Sequence, residues 1–212
     1  MRRTYGVIRI AFAGGIAAAI IAQLSFSLSF NPPSIPHLLW NFFSFFTILS
    51  NCVSVIALLV GAWYCFRVRA DPEWFNIVRA SVAAYMVTTG FVYGLLLRDV
   101  SLDQANTLVW SNEILHVWAP LYLLLDWLFA SGRSPLSWRR LWIVAVFPIA
   151  WAVYTMVRGT FVDWYPYPFL DPSQPGGYRA VLFYVILISI VILATGFGLF
   201  AISRARKLQP PA

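Results

Sequence analysis

The sequence predicts an all-α membrane protein, a six-transmembrane-helix bundle with both termini cytoplasmic, in which residues 1–212 form a single transmembrane domain. Three observations predict it. With 60% hydrophobic residues, 11% charged residues and a mean hydropathy of +0.74, the chain has too little polar surface to coat a soluble globule of 212 residues. Six apolar runs follow one another, at residues 5–30, 38–66, 77–97, 107–129, 141–157 and 178–203. Each is near the roughly 17–25 residues that a bilayer crossing requires. Finally, 12 of the 15 Lys and Arg residues flank one side of these runs, and only Arg98, Arg158 and Arg179 flank the other. The richer side is the cytoplasmic one.

The same charge pattern bears on partners. A net charge of +7 arises from this topological surplus and gives no reason to invoke nucleic acid. Membrane lipids are the expected surroundings, and the Arg-heavy, Lys-poor composition suits a bacterial cytoplasmic membrane. Outer loops are expected near residues 31–37, 98–106 and 158–177. The last is rich in Pro and aromatics, so it should be ordered, with Trp164, Tyr165 and Tyr167 at the membrane surface.

Taken in order, the first run follows Arg2 and Arg3 as a signal peptide would, yet it is longer than an ordinary signal core. Its Gly14, Ala18 and Ala22, spaced by four, suit close helix packing. Cys52 and Cys65 are 13 residues apart in one expected helix. At about 1.5 Å per residue they cannot pair with each other.

The second run carries a polar stripe. Ser44, Thr47, Asn51 and Ser54 recur at intervals that hold them within about 80° on one helix face. The fourth run carries another, formed by Asn112, Glu113, His116 and Asp126. An ionised group at the centre of a membrane helix costs from about 2.5 kcal/mol upward, so these side chains face the bundle interior or a wet cavity. Each stripe needs hydrogen-bond partners that lipid cannot supply, so the two are expected to face each other.

Thr47 lies nine residues inside its run and His116 nine inside its own, at matched depth. A hydroxyl and an imidazole so placed suit a nucleophile and its general base acting on an ester carbonyl. Asn51 and Asn112, one turn from each, either orient the pair or donate to an oxyanion. Glu113 either lies at the water boundary or orients His116. Thr88 and Thr89 on the third run share this depth and rival Thr47, and a membrane threonine otherwise bonds its own preceding carbonyl. Asp126, nearer the cytoplasmic end, fits a structural partner for another helix. Arg158 either reaches headgroups or binds an anionic substrate head. His37 is expected to be interfacial.

Other intramembrane chemistries lack their residues. No Gly-x-Ser-Gly tetrapeptide occurs for a serine protease of the rhomboid type, and the only lysine, Lys207, lies in the tail rather than where a retinal would need it. Glu113 and His116 have no second cluster to complete a zinc site, and haem usually needs two membrane histidines. No metal or other cofactor is expected.

The segment Asn41-Phe42-Phe43-Ser44-Phe45-Phe46-Thr47-Ile48-Leu49-Ser50-Asn51, the histidine of Asn112-Glu113-Ile114-Leu115-His116 followed by Pro120, and Arg158-Gly159 leading into Trp164-Tyr165-Pro166-Tyr167-Pro168-Phe169-Leu170-Asp171 resemble the androgen-induced family of multi-span membrane hydrolases and its bacterial relatives. That resemblance implies a threonine hydrolase of fatty acid esters of hydroxy fatty acids. It places the nucleophile at Thr47 and the base at His116. The chain departs from the animal pattern at Ser50, Asn51, Pro120 and Arg158, which surround the pair and bear on the substrate.

The expected function is thus an intramembrane lipid-ester hydrolase whose partner is a lipid ester. Acyl chains would lie between helices, with the substrate carboxylate near the outer loops at Arg158 and Tyr165 and Tyr167 on the rim. The alternative is a non-enzymatic lipid-binding or transport protein with the same stripes lining a cavity. A third reading, a purely structural subunit, requires the stripes to be filled by side-chain hydrogen bonds with no pocket.

Overall fold

The computed structural model describes residues 1–98 and 107–205. The expected outer loop at 98–106, apart from Arg98, lies outside them, as do Arg206 and Lys207 of the basic flank. The described residues are helical with no strand among them. Eight α-helices follow in order: α1 Arg2–Leu28, α2 Ile35–Phe42, α3 Phe46–Arg67, α4 Glu73–Val92, α5 Val109–Glu113, α6 Ala119–Phe129, α7 Ile143–Val162 and α8 Gly177–Ala205. Five helical stretches among the described residues are long and apolar enough to cross a membrane. They are Arg2–Leu28, Phe46–Arg67, Glu73–Leu97, Trp138–Val162 and Gly177–Arg204. The fourth apolar run is helical too, but a wide turn at Ile114–Trp118 divides it into α5 and α6.

The second run is not one helix. The chain leaves α2 at Phe43 and passes Phe45 in an extended conformation before α3 begins. No Gly or Pro marks this break, which tertiary partners hold open. The Ser44 hydroxyl donates to the Trp40 carbonyl at 2.8 Å and meets the Tyr154 hydroxyl at 2.9 Å. The Trp151 indole donates to the Ser44 carbonyl at 2.9 Å. Ser44 therefore leaves the stripe, and Thr47 occupies the first turn of a helix rather than its middle.

Helix α4 occupies the centre and packs on α3, α6, α7 and α8, while α1 lies along α3. The rotation of α1 corrects the expected packing of its small residues. Gly14 and Ala18 are exposed, and Ala13, Ile16 and Ile20 are buried instead. Arg9 shares the buried face, about 40° or less from those three, and its partners fix it there. Its guanidinium forks onto Asp126 at 2.8 and 3.0 Å and donates to the Gly61 carbonyl at 2.9 Å.

Asp126 thus does have helix partners, and more of them than expected. Arg79 bridges Asp126 and Asp71 at 3.0 and 2.8 Å, and Arg2 meets Asp71 at 2.7 Å. Three arginines counted in the basic flank are therefore buried within a charged cluster, at the end of the bundle where α1 begins. Pairing and backbone acceptors offset the cost of burying these ions.

Candidate active site

Thr47 and His116 meet at the opposite end of the bundle. Thr47 Oγ1 lies 3.2 Å from His116 Nε2. Because Thr47 is in the first turn of α3, no preceding helical carbonyl stands behind its hydroxyl. The usual self-bonded state of a membrane threonine is not adopted. Its second neighbour is the Tyr167 phenol, 3.3 Å from Oγ1, whose oxygen also accepts the Thr47 backbone N–H at 3.3 Å. Phe45, at the cap position of α3, makes no side-chain cap, and Tyr167 fills that role from a distant loop.

Protons along this chain have one direction, set by its two ends. The Asn112 carbonyl, 3.1 Å from His116 Nδ1, can only accept, so Nδ1 carries the proton. Nε2 then offers its lone pair to the Thr47 hydroxyl. At the other end the Thr47 N–H can only donate, so the Tyr167 phenol accepts it and turns its own proton toward Oγ1. Burial pushes the Tyr167 phenol above its ordinary range and keeps it protonated.

Local backbone irregularity produces this alignment. The wide helical turn Ile114–Trp118 contains His116, and a second, Tyr93–Leu97, begins at Tyr93. Such single wide turns often mark functional sites. The Tyr93 and His116 rings stack with centroids 4.3 Å apart, and the Asn112 amide donates to the Tyr93 hydroxyl at 2.6 Å. Gly90 lets α4 approach closely, since a Cβ there would sit 3.1 Å from the His116 carbonyl oxygen.

A cavity of about 810 Å³ opens onto the pair, with Gln23, His37, Asn41, Arg98 and Glu113 among the polar groups that line it. This volume is in the range of small-molecule sites. A second, apolar cavity of about 310 Å³ adjoins the first, and Thr47, Tyr167 and Leu97 line both.

Compared with family models, characterised proteins and solved structures, the chain matches none. The site therefore stands on its geometry alone.

The remaining expected residues divide into those at the cavity and those away from it. Asn51 is fully buried and donates to the carbonyls of Thr47 at 2.8 Å and Leu115 at 3.2 Å, tying α3 to the helical run that carries His116. Asn112 contacts His116 through its backbone, while its side chain goes to Tyr93. Glu113 lines the large cavity, but the Nδ1 position it would have to occupy to orient His116 belongs to the Asn112 carbonyl. Thr88 and Thr89 line the apolar cavity, and Thr89 meets Ser50 at 3.5 Å rather than His116.

Arg158 and Tyr165 line neither cavity. The Arg158 guanidinium donates to the Asn41 side-chain oxygen and lies over the Trp164 ring, 4.9 Å from its centroid. Tyr165 packs so closely on Gly159 that a Cβ there would collide with its ring. Both residues fasten the loop after α7. Tyr167 departs from the expected interfacial position in the other direction, being 5% exposed inside the bundle. His37 lines the cavity and bonds Asn41 at 3.0 Å. Tyr93 was not among the expected site residues, being one of two phenols, with Tyr85, in the third apolar run.

Proposed function

We propose that this chain is an intramembrane lipid-ester hydrolase with Thr47 as nucleophile and His116 as general base. The observation that carries the reading is the 3.2 Å contact of Thr47 Oγ1 with an imidazole nitrogen whose lone pair faces it, at the floor of a large cavity. His116 Nε2 takes the Thr47 proton as Oγ1 bonds to the carbonyl carbon. As Oγ1 bonds to carbon, the Tyr167 O–H, still held by the Thr47 N–H, turns from Oγ1 to donate to the developing oxyanion. As the intermediate collapses, the bond from the carbonyl carbon to the leaving oxygen breaks, and His116 returns the proton to that oxygen. Water then repeats the sequence on acyl-Thr47, releasing the acid and restoring the hydroxyl.

On this reading the chain is a six-span bundle of the bacterial cytoplasmic membrane with both termini cytoplasmic, and the site lies in the outer half. Its resemblance to the androgen-induced family supports esters of hydroxy fatty acids as the substrate class. The large cavity also fits the alternative of a lipid carrier, which would need no aligned pair. A fluorophosphonate probe separates the two: it labels Thr47 in the wild type and spares Thr47→Ala. Equal labelling of both proteins rejects the hydrolase.

A further inference from the structure

Thr47 and Tyr167 line two adjoining cavities, a larger one that mixes apolar and polar side chains and a smaller one that is almost wholly apolar. The large one carries amide, imidazole, guanidinium and carboxylate groups. The smaller one, between α4, α7 and α8, is lined chiefly by apolar side chains such as Phe46, Val92, Pro148, Trp151 and Ile192. On its rim Ile149, Val153 and Leu193 are exposed on the outer surface of the bundle. Exposed apolar side chains of this kind suit contact with acyl chains.

An ester attached at its carbonyl carbon to Thr47 Oγ1 has two arms, and the two cavities offer each its own place. We infer that the apolar cavity is the acyl-chain site, and that the large cavity takes the alcohol half of the ester with whatever polar or anionic groups it carries. The inference rests on the hydrolase reading and adds the direction in which the substrate lies. The smaller cavity offers a hydrocarbon arm almost wholly apolar surface, whereas the amide, guanidinium and carboxylate groups of the larger one suit the polar atoms of the alcohol half. In the apolar cavity the same arm gains about 0.8 kcal/mol for each methylene it buries. Arg98, on the wall of the large cavity, is the cation placed to receive a carboxylate on the alcohol half, a role that Arg158, turned to Asn41 and Trp164, does not fill.

The experiment uses the purified full chain and 4-nitrophenyl esters from butyrate to palmitate, so that only the acyl arm varies. The quantity read is the ratio of kcat/KM for the longest ester to that for the shortest, which is independent of the fraction of active protein. Ala152→Phe on the apolar cavity wall lowers this ratio about tenfold or more, the scale of discrimination that a hydrophobic pocket achieves. Ala145→Phe repeats the test from a second place on the same wall. Leu38→Trp in the large cavity leaves the ratio at its wild-type value. A ratio untouched by both alanine variants, or lowered by Leu38→Trp instead, overturns the assignment while leaving the hydrolase reading in place. A wild-type protein that cleaves none of these esters overturns the hydrolase reading, and the acyl site falls with it.

Discussion

The Tyr93 ring lies on the His116 imidazole, with centroids 4.3 Å apart and planes 27° from parallel. This stack and the Asn112 carbonyl hold the imidazole from two directions. Tyr93→Phe keeps the ring and removes only the oxygen that accepts from Asn112. Tyr93→Ala removes both, and loss of a ring pair is worth about 0.5–1.5 kcal/mol, or up to about tenfold in rate. On the proposed reaction, Tyr93→Ala lowers kcat/KM by about that factor and Tyr93→Phe by less. Steady-state kinetics giving equal losses for the two would assign the effect to the phenol rather than the stack.

Tyr167→Phe removes one hydroxyl and retains the aromatic packing against Phe45 and Phe169. A donor used in the transition state contributes about 10²–10³ in kcat. The variant is expected to lose kcat on that scale with little change in KM. A loss confined to KM would restrict the phenol to ground-state binding.

Asn51→Ala leaves the Leu115 carbonyl without the amide that reaches it from α3. A buried acceptor so abandoned costs about 1–3 kcal/mol. The melting midpoint in detergent falls accordingly. An unchanged midpoint would mean that water or a neighbour replaces the amide.

Asp126→Asn removes the carboxylate that pairs with both Arg9 and Arg79. Breaking a buried pair from one side costs about 3–5 kcal/mol. The variant should melt far below the wild type, while the protein that remains folded hydrolyses ester at the wild-type rate, since the cluster and the proposed site occupy opposite ends of the bundle. Loss of turnover without loss of stability would contradict that separation.

Gly90→Ala sets a methyl group 3.1 Å from the His116 carbonyl oxygen and 3.2 Å from Pro120 Cβ. Those atoms belong to backbone and a proline ring, which yield poorly. The turn carrying His116 must shift by tenths of an ångström, and misplaced catalytic groups lose about ten- to a hundredfold in rate. Activity should fall more steeply than the melting midpoint.

The all-helical class was legible because hydropathy and length depend only on local composition. That the stripes of the second and fourth runs face each other was legible because each needs a partner away from lipid, but Thr88 and Thr89 share the depth of Thr47, and depth alone did not choose among the three. Other features depend on residues far apart in the chain. The break before α3 is held by Tyr154, Trp151 and Tyr167, none of which is near it in sequence, and periodicity alone therefore extends one helix across it. Arg9 resembles an end-of-helix charge until Asp126 is known to face it. Arg158 and Tyr165 carry the chemistry of a binding site, but the loop after α7 folds them onto Asn41, Trp164 and Gly159.

The bond between Arg9 and Asp126 also has a consequence for biogenesis. The two residues are separated by 117 positions, so the first span emerges from the ribosome long before its counter-ion is synthesised. Until then its guanidinium has the Gly61 carbonyl of α3 as an acceptor, or reaches back to headgroups. Helix α1 can therefore settle along α3 as soon as α3 is made, and the arrival of α6 completes the ion pair that neutralises its buried guanidinium.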